Sequence, residues 1–235
     1  MIGHRNSEWT GVAPIIEEDI AFSSMAQDEM GHAQAYYTIL HQIGEADPDT
    51  LAFRRDPQDF RNATLTALPR KDWARSIIRQ FLYDAAEHIR LAAYSNHPFE
   101  PLAQFTRKIN GEEKYHFLHG RTWISKLGHG TDDSRQRLQE SLDELWPYAL
   151  GLFEPSQIEQ PESFNEATLF SEWLQLICPL LSEAMLTINA LENADGIWTT
   201  DTTPIYGRYD EPDEHRIELL DAMQKVYRLD PDAQW

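Results

Sequence analysis

Two Glu-x-x-His pairs are the residues of this sequence best suited to do chemistry: Glu29 with His32, and Glu113 with His116. Residues three apart on an α-helix share one face, so the carboxylate and the imidazole of each pair can bind the same metal ion. Two such pairs are not surprising by count alone. Their placement is more informative, because both pairs continue apolar stripes and are therefore expected to point towards the core.

Two further carboxylates complete an ordered set. Glu8 precedes the first pair and Asp84 precedes the second, each on a separate predicted helical segment. The chain thus reads acid, Glu-x-x-His, acid, Glu-x-x-His, which is the ligand order of dinuclear carboxylate sites in helical bundles. Four buried carboxylates are very costly without counter-charge, whereas two divalent cations neutralise them. A mixed carboxylate and imidazole set suits iron, or manganese, better than a thiolate-seeking metal.

Several of these positions have neighbours of similar chemistry. Glu87 and His88 lie close to Asp84, and Glu112 precedes Glu113, although only Glu113 stands three residues before a histidine. The alternative interpretation is that these side chains lie at the solvent-exposed edges of the apolar helix faces. The prediction of a metal site therefore depends on all six residues pointing inwards.

The elements that must position these residues are predicted to be helices, because apolar residues recur at steps of three and four. Asp72 and Thr131 suit N-caps, and Gly44 suits a helix end. Residues 45–70 contain three prolines and many charges and predict a long connection. No strand pattern is found, so the predicted fold class is all-α, with a bundle of at least four long helices. The predicted helices span roughly 15–43, 73–95, 101–127, 131–153, 165–193 and 213–228.

Composition limits the function classes. The 235 residues are 41% hydrophobic and carry a formal net charge of −19, which argues against nucleic acid and anionic membranes as partners. An anionic small molecule would be repelled at long range unless a partner chain supplied basic surface. No linker divides the sequence, so we predict a single domain over 1–235, with about 195–235 as a C-terminal arm.

The single cysteine, Cys178, excludes an internal disulfide framework and favours a reducing, cytoplasmic setting. It is expected to be a small core residue. The opening MIGHRNSEW lacks the apolar segment of a secretory signal, and no run of 18 apolar residues predicts a membrane span. Helical pattern begins within the first residues, as if upstream sequence were missing.

The stretches QDEMGH (27–32) and EEKYH (112–116) resemble the metal motifs of the ferritin-like di-iron subunits of phenylacetyl-CoA epoxidase, from aerobic phenylacetate degradation. Glu8 in NSEWTG and Asp84 in YDAAEH fall where that catalytic branch has its remaining carboxylates. The similarity covers nearly the whole chain. Other stretches instead resemble the non-catalytic partner of the same complex: LAFRRDPQDFRN (51–62), LGHGTDD (127–133), LWPYALGLFEP (145–155) and the closing QW.

The resemblance implies a ferritin-like four-helix bundle with additional C-terminal helices. It implies a di-iron monooxygenase that inserts one oxygen atom of O2 across a ring bond of an aryl-acyl-CoA. The implied partners are a related ferritin-like subunit, or a second copy, and a reductase, because the chain has no flavin motif or cysteine cluster. A non-catalytic structural partner is the competing interpretation. An iron-storage or peroxide-handling protein is a third.

Overall fold

Helices account for almost all of the regular structure. The structure is a computed structural model, and it describes residues 1–158 and 164–230. Within these ranges the α-helices are α1 (Ile2–Ser7), α2 (Ile16–Gln42), α3 (Trp73–Tyr94), α4 (Glu100–Gly128), α5 (Asp132–Leu150), α6 (Glu166–Glu183) and α7 (Glu214–Leu229). Single π or 3-10 turns lie at Thr50–Arg54, Pro57–Asp59, Thr64–Thr66 and Gly151–Phe153. The predicted all-α class is confirmed, and its helical composition agrees with a ferritin-like helical bundle.

The helix predicted over 165–193 was too long. It ends at Glu183, because Met185 adopts a left-handed conformation (φ 65°) and the amide of Leu186 bonds back to the carbonyl of Leu181 at 3.1 Å. This is a Schellman-type stop without glycine. The chain then forms a short antiparallel pair that the sequence reading missed, β1 (Leu191–Glu192) and β2 (Trp198–Thr199). Of the predicted C-terminal arm, residues 231–235 lie outside the described residues.

The predicted helix starts are confirmed by their caps. Asp72 accepts a hydrogen bond from the amide of Arg75 at 2.9 Å, and Thr131 forms a reciprocal capping box with Ser134. Each cap satisfies amide groups that have no partner within the helix. Gly44 follows α2 with φ 109°, as expected for a residue that ends a helix.

The chain divides into two compact units. The first comprises Met1–Pro69 and the chain from Gly207, and the second comprises Arg70–Tyr206. In the first unit α1 packs on α2, and α7 packs on the turn at Thr50–Arg54. In the second, α3 packs against α4, α5 and α6. The single-domain assignment stays a prediction.

Two buried groups illustrate the core of the second unit. Trp173 is fully buried, and its indole N–H donates to the carbonyl of Leu82 at 3.1 Å. Cys178 is also fully buried, as predicted, and desolvation raises the pKa of its thiol to about 12. In the parts of the chain that the structure describes, no helix is long and apolar enough to cross a membrane.

Candidate metal centre

Three of the predicted ligands meet inside the second unit. Asp84 lies on α3, and Glu113 and His116 lie on α4. Each of the three offers a ligand atom that lies within 4.8 Å of those of the other two, and all three side chains are buried. Oε1 of Glu113 is 3.6 Å from Nδ1 of His116. Two carboxylates and an imidazole so placed, in a buried position, form a donor set that suits a divalent cation.

The helix periodicity explains why these residues face one another. On α3, Asp84 continues a fully buried stripe with Ile77, Phe81 and Ala85, as predicted. On α4, Gly120 lies one turn beyond His116 at the crossing with α3. A Cβ at Gly120 would lie 3.1 Å from the Cα of Phe81, so the absence of a side chain lets the two backbones approach closely. That approach brings the ligands of α3 and α4 within reach of one another.

The rival residues are engaged elsewhere. Glu87 pairs with the guanidinium of Arg90 at 3.0 Å, and Glu112 is exposed on α4. His88 is half-buried and stacks on Phe117 with ring centroids 5.6 Å apart. Its pKa is lowered by desolvation and by Lys114, against the opposing effect of Glu113. Neither rival carboxylate belongs to the buried cluster, which favours Asp84 and Glu113 over their neighbours.

Gln80 is a member of this site that the sequence reading missed. Its amide Nε2 donates to Oδ1 of Asp84 at 2.5 Å, and both residues are fully buried. A carboxylate held through one oxygen is oriented, and its other oxygen can face a cation. The signal in the sequence was the four-residue spacing from Asp84, which places the two side chains on one face of α3.

We expect Gln80→Leu to weaken metal binding by roughly 10–100-fold, the usual effect of losing a group that orients a ligand. The measurement is competition of Co²⁺ or Fe²⁺ binding against a chelator, followed by absorption. Gln136→Leu is the control, since Gln136 makes the same four-residue bond to Glu140 on an exposed helix face, at 2.8 Å. Equal affinity in the two variants would contradict the orienting role.

The first unit holds the other predicted pair. Glu29 and His32 lie one turn apart on α2 and are 9% and 6% exposed. Gly3 of α1 contacts α2 at this point, where a Cβ would lie only 2.8 Å from the Cβ of Glu29. The backbone of α1 at Gly3 therefore packs directly against Glu29 of α2, with no side chain of Gly3 between them. This tight packing restricts the rotamers open to Glu29.

Glu8 is the predicted ligand with the clearest alternative role. It follows the last residue of α1, its side chain is 30% exposed, and its Oε1 accepts from Nη1 of Arg5 at 2.6 Å. The buried Arg5 guanidinium also donates to the carbonyl of Ala67 at 2.9 and 2.7 Å. An arginine thus already supplies positive charge to this carboxylate. Metal ligation by Glu8, as by the other five residues, stays a prediction.

Comparison with known proteins identifies the lineage. The family described as "Phenylacetic acid catabolic protein" matches this sequence over residues 1–235. The chain belongs to this family. The resemblance predicted from the metal motifs is thereby confirmed.

Two relatives come from Escherichia coli (strain K12), and both are components of 1,2-phenylacetyl-CoA epoxidase. The C subunit is 31% identical over 242 residues, covering 100% of this chain and 94% of the relative. The A subunit is 26% identical over 160 residues, covering 68% of this chain and 52% of the relative. This member of the phenylacetic acid catabolic family is therefore similar to two different components of one epoxidase, in accord with the mixed resemblance of its motifs.

Proposed function

We propose that this chain is a di-iron, ferritin-like subunit of a multicomponent aryl-acyl-CoA epoxidase that acts on phenylacetyl-CoA in aerobic phenylacetate catabolism. The observation that carries the proposal is the buried cluster of Asp84, Glu113 and His116, found in a chain of this family. Buried carboxylates are costly unless something neutralises them. A metal-binding role accounts for such a cluster directly, because bound cations would neutralise its charge.

The proposed ligands are four carboxylates and two imidazoles. The order acid, Glu-x-x-His, acid, Glu-x-x-His is that of dinuclear carboxylate sites, which supports the proposal that all six residues serve one centre. Two ferrous ions would be neutralised by the four carboxylates, and manganese suits the same donors. The proposed set is Glu8, Glu29, His32, Asp84, Glu113 and His116.

Iron held there would supply the activation of O2 needed to insert one oxygen atom across a ring bond. The chain's own contribution is positional. Gln80 donates a hydrogen bond to Asp84, and the buried residues Phe81 and Ile109, one helical turn before Asp84 and Glu113, would help to exclude water. The only thiol, Cys178, is buried, so the chain cannot build a Cys-ligated iron–sulfur cluster. Electrons must therefore come from a reductase partner.

The charge of the chain bears on its partners. An acyl-CoA is strongly anionic, and a chain with net charge −19 repels it at long range. A related subunit with basic surface would offset this repulsion. The two similar relatives are named as parts of one epoxidase, which supports pairing with a related chain. The unpaired, buried cysteine agrees with a cytoplasmic location.

The test is metal content joined to product formation. Protein purified from iron-supplemented cells is expected to hold close to two irons per chain. With a related subunit, an electron donor, phenylacetyl-CoA and ¹⁸O₂, one labelled oxygen atom should enter the product. A chain that holds no iron, or that oxidises excess Fe²⁺ and builds up mineral, would contradict the proposal.

A non-catalytic structural role is the second candidate. It is favoured by the higher identity and full coverage of the match to the C subunit, compared with the match to the A subunit. The two candidates differ in one measurement. All six proposed ligands of this chain are replaced, and the epoxidase activity of its complex with a catalytic relative is measured. The activity should persist if this chain is a structural partner and should be lost if it is the di-iron subunit.

A further inference from the structure

The outer face of α4 differs in charge from the rest of the protein. It is defined by two exposed apolar residues, Tyr115 (74% exposed) and Leu118 (53% exposed), and by the exposed basic residues around them. On the helix Tyr115 and Leu118 are neighbours, three residues apart. The basic residues of this outer α4 face are Arg107, Lys108, Lys114, Arg121 and Lys126.

These cations are only partly neutralised. Arg107 pairs with Glu100 at 2.8 Å. Lys108, Lys114 and Arg121 form no ion pair with any residue in the described ranges. Five of the chain's 20 lysines and arginines are exposed on α4, against two exposed glutamates, Glu100 and Glu112, in a protein whose formal net charge is −19. A local positive surface on a strongly acidic protein directs an acidic partner to that one place, because the remaining surface repels it.

The same helix carries proposed metal ligands on its opposite face. Glu113 and His116 are buried on α4, whereas Lys114 and Tyr115, which lie between them in sequence, are exposed. The diameter of an α-helix with its side chains is about 10–12 Å. A redox group docked on the outer α4 face would therefore be separated from these ligands by little more than the thickness of one helix.

We propose that the outer α4 face is the docking surface for an acidic electron-donor protein. The proposal rests on the proposed function, which requires an external donor. Tyr115 and Leu118 form the apolar centre that a protein interface needs, and the lysines and arginines form its charged rim. The convex surface of a single helix fits a protein surface better than a small anion, which needs a concave site.

The test uses a small acidic redox protein, a plant-type [2Fe–2S] ferredoxin, as probe. Its affinity for the metal-free chain is measured by calorimetry at low and at physiological ionic strength. Lys108→Glu combined with Arg121→Glu is expected to weaken ferredoxin binding by at least about tenfold at low ionic strength. Wild-type binding should be weaker at physiological ionic strength than at low ionic strength, because salt screens the attraction. Both positions are exposed and are not proposed ligands, so circular dichroism should be unchanged.

The control is Lys225→Glu with Arg228→Glu on the exposed face of α7, which changes the net charge by the same amount. The affinity of this control for the ferredoxin should stay within about twofold of the wild-type affinity, a limit that includes the general effect of the changed net charge. Equal weakening in both double variants would overturn the proposal. So would wild-type binding that ignores salt, or loss of self-association in the α4 variant while ferredoxin binding is unchanged.

Failure of this proposal can be distinguished from failure of the proposed function. Docking is measured on the metal-free chain, whereas the proposed function is tested by iron content. In iron-loaded protein, the reduced ferredoxin should be oxidised more slowly by the α4 variant than by the α7 control, with equal iron in both. Equal rates would contradict docking at α4 and leave the iron content as an independent result.

Discussion

Under the proposed function, His116→Ala is expected to remove most of the bound iron. The variant takes away a buried imidazole whose ring lies 3.6 Å from Glu113, and it leaves buried carboxylates that can no longer complete a cation's ligand shell. Loss of a direct ligand should cost at least the roughly 10–100-fold in affinity that loss of an orienting group costs. The measurement is iron per chain by elemental analysis after gel filtration.

Two neighbouring changes serve as controls. Glu112→Ala removes an exposed carboxylate beside Glu113, and His129→Ala removes an exposed imidazole directly after α4. Both should retain the wild-type iron content. Glu29→Ala should lose iron as His116→Ala does, because the proposed centre needs both Glu-x-x-His pairs. Iron retained in Glu29→Ala and lost in His116→Ala would contradict a six-residue centre.

Arg216→Met is expected to lower the free energy of unfolding by roughly 1–3 kcal/mol, the usual cost of leaving buried hydrogen-bonding groups without their partner. Arg216 is 1% exposed, and its guanidinium donates to the carbonyls of Phe60, Asn62, Gly207 and Asp210. Methionine fills much of the same volume but donates no hydrogen bond, so buried carbonyl groups lose their donor. Urea unfolding followed by circular dichroism measures the change.

Arg228→Met on the same helix is the matched control. Its guanidinium is exposed and lies 3.7 Å from Asp221, an arrangement worth at most about 1 kcal/mol. The two variants remove the same charge and create the same residue. If both shift the urea midpoint equally, the carbonyl network around Arg216 does not stabilise the fold as we infer.

The features that could be predicted from the sequence are those determined by neighbouring residues, such as helix positions and helix caps. Proline and glycine positions with periodic apolar residues indicated the long helices, and Asp72 and Thr131 indicated helix starts, because a cap is satisfied by residues within one turn. The inward face of Asp84 followed from the buried stripe of α3. The order of the six proposed ligands also came from the sequence alone. In contrast, their ligation of a metal remains to be measured.

What the sequence could not predict depends on distant packing. The left-handed Met185 ends α6 although methionine rarely adopts that conformation, so no local signal marks it. From the sequence alone, Arg216 would be expected on the surface, because its carbonyl partners, Phe60 and Gly207 among them, are not recognisable from local sequence. Gln80 looks like any helical glutamine, because only the burial of α3 shows that its amide faces Asp84 rather than water.

The buried thiol of Cys178 makes this protein convenient for site-directed labelling. Thiolate is the form that reacts with maleimides, and a pKa of about 12 keeps this thiol protonated at neutral pH behind a fully closed surface. A cysteine introduced at the exposed Gln136 on α5, away from the outer α4 face, would therefore carry a fluorophore or spin label without background from the native residue. Distances to a donor protein could then be measured on an otherwise unaltered chain.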